Sequence, residues 1–304
     1  VQLKIPGRKY GKPIPMTEED IQDVINRFVF AAKIARESGF DGIQLHSAHG
    51  YLLSQFLSPD INQRTDAWGG SLENRARIHL EIIKKCREEV GNDFAISIKM
   101  NSADFQKGGF SPEDSIQVAK LFSDSGIDNI EISGGTYEQP RLLGLDKVSI
   151  NPKRSENRKE STIAREAYFL SYAEEIAKVV NIPLMVTGGF RTKEGMEAAL
   201  RDGACEIVGV GRPLCANPFA IRELLAGQID ELPKYEKTLS IGPWWLSPTS
   251  PFRLIQAINA FSAQAWFYQQ IKKMGKGLMP DLNLKPWKAF REDAKADQEA
   301  IKEY

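Results

Sequence analysis

Two histidines and a phenol close one short apolar stretch, Asp41-Gly42-Ile43-Gln44-Leu45-His46-Ser47-Ala48-His49-Gly50-Tyr51. The chain has only 3 histidines. His46 and His49 place two of them three residues apart, where a predicted strand gives way to a loop, and Tyr51 follows. Two imidazoles can hydrogen-bond one developing oxyanion while a phenol delivers a proton beside it. Catalytic groups gather at the carboxyl ends of strands in α/β proteins, so a functional reading outweighs simple packing. No Asp, Glu or Cys nearby completes a ligand set, and no metal is expected.

Lys99 lies inside Ile96-Ser97-Ile98-Lys99-Met100-Asn101. Lysine is almost never fully buried alone, so this position needs an anion or a developing negative charge, unless the ammonium snorkels to the strand end. Thr187-Gly188-Gly189-Phe190-Arg191 and Gly209-Val210-Gly211-Arg212-Pro213 follow the last two predicted strands. Glycines let backbone N–H groups approach an anion, and Arg212 would add a charge-assisted contact. Two such loops in succession point to phosphate at Gly188, Gly189, Gly211 and Arg212.

Other polar stretches read more plainly. Asn62 to Arg77 forms a glycine-punctuated loop in which Ser71 caps a helix and the arginines and acids brace the turn. Ser133-Gly134-Gly135-Thr136-Tyr137 could line a ligand or could simply turn the chain. Trp244, Trp245, Phe252, Phe261, Trp266, Phe267 and Tyr268 read as packing or subunit contact, which leaves room for a homo-oligomer.

Five predicted strands position these groups: 41–45, 94–100, 129–133, 182–187 and 206–210. Helical patterns fall at 21–38, 71–90, 111–125, 165–180 and 192–202, with capping signals such as Ser71, Ser111-Pro112 and Gly126. Near-continuous apolar strands alternating with helices mean parallel strands covered by helices. Helices are also expected at 217–225 and 250–274, with a polar, frayed tail from Pro280 and a long loop over 138–164. This divides the chain into a barrel-like part, 1–232, and a C-terminal helical extension, 233–304. Patterning alone fits either an open five-stranded sheet or the later five units of a (β/α)8 barrel.

At 304 residues one large core is within reach. Basic and acidic residues balance at 40 each, so no overall field recruits nucleic acid or an anionic membrane. The mixed charges between Lys147 and Arg165 read as a solvated loop. Cys86, Cys205 and Cys215 show no C-x-x-C spacing, which suits a reducing, cytoplasmic setting and speaks against an iron–sulfur centre. No apolar run reaches the roughly 18 residues of a membrane span, and nothing at the start resembles a signal peptide. The chain opens on Val1, so we expect translation to begin upstream.

Taken together, the segments resemble the old yellow enzyme family, the FMN-dependent NADH:flavin oxidoreductases and ene-reductases. The resemblance rests on Ala31-Ala32, Gly39-Phe40-Asp41-Gly42, the run His46-Ser47-Ala48-His49-Gly50-Tyr51-Leu52-Leu53-Ser54-Gln55-Phe56-Leu57-Ser58-Pro59, Arg64-Thr65-Asp66, Gly69-Gly70-Ser71, Glu73-Asn74-Arg75, Lys99, Gly188-Gly189 and Gly211-Arg212. These occur in the family's order over about residues 17–226.

The resemblance implies an incomplete TIM-type (β/α)8 barrel carrying about its last five units, one non-covalent FMN, and NADH or NADPH as co-substrate. By the same likeness, His46 and His49 hold the oxygen of an activated, enone-type alkene, and Tyr51 protonates the carbon opposite hydride addition. Lys99 sits near the flavin pyrimidine edge, and Gly188, Gly189, Gly211 and Arg212 take the FMN phosphate. Trp68 stands where the family usually has tyrosine. The cysteine cluster and second dinucleotide domain of larger relatives are missing, so iron–sulfur and FAD are not expected. The alternatives are a non-catalytic fragment that needs a partner chain for its missing strands, and a flavin-independent phosphate-binding α/β enzyme.

Overall fold

The computed structural model describes residues 11–134 and 169–302, which divide into two compact units: Val1–Gly189 with Ala198–Gly209, and Phe190–Glu197 with Val210–Tyr304. The first unit is a parallel sheet whose strands neighbour one another in chain order: β1 (Gly42–Ser47), β2 (Ala95–Asn101), β3 (Asn129–Ser133), β4 (Leu184–Thr187) and β5 (Ile207–Gly209). All five predicted strands are present, each within two residues of its expected start. Helices α1 (Glu18–Glu37), α2 (Leu52–Leu57), α3 (Leu72–Val90), α4 (Pro112–Asp124), α5 (Leu170–Ala177) and α6 (Lys193–Arg201) fall between or before them.

Local chemistry sets the boundaries. Thr17 and Asp20 form a reciprocal capping box at the start of α1, and Gly39 leaves its end at φ 84°. The Ser71 side chain accepts from the Asn74 N–H at the start of α3, and Ser111 does the same for Asp114 ahead of Pro112 in α4. A Cβ on Gly42 would lie 2.6 Å from the Ala95 carbonyl oxygen, so only glycine lets β1 and β2 begin side by side.

The strands alternate strictly between two faces. Leu45, Ile96, Ile98, Met100, Ile130, Ile132, Leu184 and Val186 are buried on one face, and the helix residues Ile78, Ile82 and Phe122 are buried as well. Each fully buried aliphatic side chain contributes about 1.5–3 kcal/mol. The other face carries His46, Lys99 and Glu131, paired across neighbouring strands in one register row that continues to Met185 and Ile207.

The loop before α3 is braced as its composition predicts. Arg64 pairs with Asp66, while Asn62 donates to the carbonyls of Phe56 and Trp68 at 2.8 Å each. Arg75 is buried, donating to the Leu57 and Gly70 carbonyls and pairing with Asp114 at 3.0 Å. Trp68 is buried, with its indole N–H on Glu18.

The second unit holds α7 (Ala220–Leu225), α8 (Arg253–Met274) and α9 (Pro286–Lys302). The expectation of a frayed tail from Pro280 is overturned, because α9 occupies most of it. Leu284 and Ala289 join a buried cluster with Trp266, Phe267, Ala265 and Leu239, and the Trp266 indole donates to the Leu284 carbonyl at 2.9 Å. Few apolar residues suffice when one of them is a large aromatic such as tryptophan. Of the aromatic stretch, Trp266 and Phe267 are core, whereas Trp244, Trp245, Phe252 and Tyr268 are exposed. The expected positions Gly135, Thr136 and Tyr137, the 138–164 loop, the charged stretch 147–165 and the start of the 165–180 helix lie outside the described residues.

Candidate active site

The polar sheet face and the carboxyl ends of β1–β3 meet in one cluster. His46 is the penultimate residue of β1, and the chain then turns through His49 (φ 62°) and Gly50 (φ 77°) before Tyr51 takes the N-cap position of α2. Two successive left-handed residues reverse the chain sharply, which returns His49 and Tyr51 to His46. The ring centroid of His46 lies 5.3 Å from that of His49 and 5.1 Å from that of Tyr51. Left-handed geometry costs an L-residue about 1–2 kcal/mol. Side-chain contacts offset it: the His49 N–H donates to Asn101 Oδ1 at 3.1 Å, and His49 Nε2 shares a 2.7 Å hydrogen bond with Ser133 Oγ. Asn101 is itself fixed by Asp104, whose other carboxylate oxygen accepts the Phe110 N–H at 3.0 Å.

Lys99 follows in the row. Its Nζ lies 2.7 Å from Glu131 Oε1, so the anion that a lysine in a core-type strand requires is supplied by the adjacent strand. The Lys99 side chain is 17% exposed and that of Glu131 6%. Burial pushes Glu131 upward, but the Lys99 charge and hydrogen bond more than offset it, so the carboxylate sits below its usual range.

Both site histidines are held neutral. Burial and then the Lys99 charge lower His46, and the same causes with His46 added take His49 down to about 4. The site therefore offers imidazoles rather than imidazolium cations at neutral pH, with one positive charge at Lys99. His79, the third histidine, lies behind β1 on α3. It is fully buried, 2.8 Å from Ser47 Oγ, and burial lowers it to about 3. It belongs to the core.

The structure thus brings His46, His49, Tyr51 and Lys99 together and adds Glu131 and Asn101, which the sequence does not single out, and Ser133, which opens the stretch read as either lining a ligand or turning the chain. A charged residue within the apolar strand Asn129–Ser133 was the available signal for Glu131. Gly188 and Gly189 follow β4 with φ of 125° and 90°, conformations that turn backbone N–H groups away from the strand line. Gly211 and Arg212 belong to the second unit. Arg212 opens a short 3-10 helix and lies 4.0 Å from Glu236, which also pairs with the buried Arg191 at 2.6 Å. Among the described residues no group of three or more His, Cys, Asp or Glu is placed to hold a metal ion, and no helix is long and apolar enough to cross a membrane.

A parallel α/β sheet with imidazoles, a phenol and a lysine at its carboxyl end defines an enzyme-type site on a barrel-type scaffold. Residues 5–231 match the model of the NADH:flavin oxidoreductase / NADH oxidase family, and the chain belongs to that family. It is 35% identical over 271 residues to the NADH-dependent flavin oxidoreductase iccE of Talaromyces variabilis, across 88% of this chain and 63% of that protein. The chain therefore spans less than two thirds of the length of this curated relative. A 2-naphthoyl-CoA reductase in complex with 2-naphthoyl-CoA superposes with a TM-score of 0.65 and 29% identity, over 76% of this chain and 34% of that one. The old yellow enzyme homologue of Zymomonas mobilis shares the fold, with a TM-score of 0.58 and 24% identity over 73% of this chain and 57% of that one.

Proposed function

We propose that this chain carries the substrate-polarising half of an FMN-dependent oxidoreductase that takes hydride from NADH or NADPH and delivers it to an activated, enone-type alkene. Bound FMN would supply the two-electron carrier, while the protein orients and tunes it. The donor set fits such a group. The face bearing Lys99 is the polar one, Lys99 places its charge beside the Glu131 carboxylate and the neutral His46, and the positive-φ glycines after β4 turn their backbone N–H groups off the strand line. By their places in chain order, Gly188, Gly189, Gly211 and Arg212 are assigned to the FMN phosphate, and Lys99 to the electron-rich edge of the flavin ring.

On this reading the imidazoles of His46 and His49 bind the substrate's oxygen and draw charge onto it. Being neutral, they donate hydrogen bonds without handing over a proton, which suits a developing enolate. Tyr51 stands on the His46 side with its phenol half in solvent and holds the proton for the carbon. Family membership and relatives named as NADH-dependent flavin oxidoreductases support the reading. The observation that carries it is the convergence of His46, His49 and Tyr51 at the carboxyl end of the strand row that holds Lys99.

The test is reconstitution. Purified protein mixed with FMN should retain a flavin spectrum through desalting, lose its visible absorbance anaerobically with NADH or NADPH, and recover it on adding an enone. A protein that retains no FMN, or whose reduced flavin is indifferent to enones, does not perform this reaction.

A further inference from the structure

Glu131 is a charged residue in a place that stability does not require. It is 4% exposed, on the third strand of a sheet whose same row continues with Met185 and Ile207. Burying a carboxylate and an ammonium together costs desolvation that their attraction only partly repays, and well-packed apolar residues often do as well or better. The pair is also one-sided in its consequences. An isolated ammonium projects a potential that falls as the inverse of distance. The same ammonium 2.7 Å from a carboxylate is a dipole, whose potential falls faster. Whatever lies over this row meets the difference between the two.

Resting on the FMN reading above, we propose that Glu131 is the counter-charge that sets how much positive charge Lys99 presents to bound flavin. It would act as a positioning residue that holds the flavin's reduction potential down. Lys99 alone would favour reduced, anionic flavin strongly, and Glu131 moderates that preference so that the reduced form still gives up its hydride. Lys99 on β2, Thr187 on β4 and Gln44, two residues before His46 on the same face of β1, all hold the Glu131 carboxylate below its usual range. His46 is Lys99's other neighbour in the row and carries no charge at neutral pH. Glu131 is therefore the balancing charge next to Lys99 in the row.

The experiment is a double-mutant cycle read by the midpoint potential of bound FMN. Glu131→Gln keeps the side-chain shape and removes the charge. It should tighten reduced relative to oxidised FMN by tenfold or more, an upward shift of about 30 mV for a two-electron couple. In a Lys99→Met background the same substitution should move the potential much less, because without the Lys99 ammonium burial pushes the Glu131 carboxyl toward its neutral form and little charge is left to remove. An unchanged or lowered potential in the wild-type background overturns the proposal, as does an equal shift in both backgrounds. If Glu131→Gln does not fold, Glu131→Asp withdraws the carboxylate by one methylene and should give a smaller upward shift. A readout without flavin separates this idea from the FMN reading. His46 faces Lys99 on β2 and Glu131 on β3, with His49 and Tyr51 beside it, so Glu131→Gln should lower its NMR titration midpoint. If wild-type protein retains no FMN, the functional reading fails and this titration decides the charge balance by itself; an unmoved His46 sinks it.

Discussion

Acid should unfold the first unit earlier than its carboxylates alone would dictate, and the histidines fix by how much. All 3 histidines of the chain lie below their ordinary value of 6.5, with His79 near 3 and His49 near 4. A group depressed in the folded state stabilises it above the unfolded pKa, and that contribution is lost as pH falls through the window between the two values. Unfolded histidine takes up its proton below about 6.5, whereas folded His79 does not until near pH 3. At about 1.4 kcal/mol per pH unit, the 1.5 units between 6.5 and 5 remove about 2 kcal/mol for His79 and about the same for His49. The expected loss between pH 7 and pH 5 is therefore about 4 kcal/mol. This window lies above the range where aspartate and glutamate titrate when unfolded, so histidine dominates it. Urea unfolding at pH 7.5, 6.5, 5.5 and 5.0, with the slope on denaturant held constant, measures the effect. His79→Gln keeps a donor for Ser47 Oγ and removes the titration, so it should cut the acid dependence by about half whatever its cost at neutral pH. A wild-type stability flat between pH 7 and 5, or an acid slope left undiminished by His79→Gln, would refute the reasoning.

Three further outcomes follow from the site and its support. Tyr51→Phe should slow alkene reduction while flavin reduction by the nicotinamide persists, and stopped-flow measurement of the two half-reactions separates them; equal loss of both contradicts a proton-donor role. His46→Ala and His49→Ala should each weaken binding of a phenol or enone ligand by about 1–3 kcal/mol per lost hydrogen bond, measured by spectral titration. Arg75→Ala removes a buried guanidinium from the Leu57 and Gly70 carbonyls and from Asp114, and should cost about 3–5 kcal/mol in urea unfolding. A loss under about 1 kcal/mol would mean that the loop before α3 is not braced through this residue.

The sequence by itself determined the five strands, most of the helices with their caps, and the candidates for the site. Those properties are local: β-branched runs extend, Ser71 and Ser111 cap because their hydroxyls reach an N–H three residues on, and a lysine in an apolar strand demands an anion wherever it folds. It also carried the family, because motif order along the chain survives without coordinates. What it left open was pairing. The parallel register that sets Lys99 beside both His46 and Glu131 arises from five strands aligned together, and no spacing along the chain encodes it. The left-handed turn that returns His49 to His46 is held by Asn101 and Ser133, some 50 and 84 residues away. The α9 helix, hidden by a polar surface, forms because Trp266 offers Leu284 and Ala289 a place to be buried. In each case the deciding contact joins segments distant in sequence, and only closure of the chain on itself brings those charges and faces together.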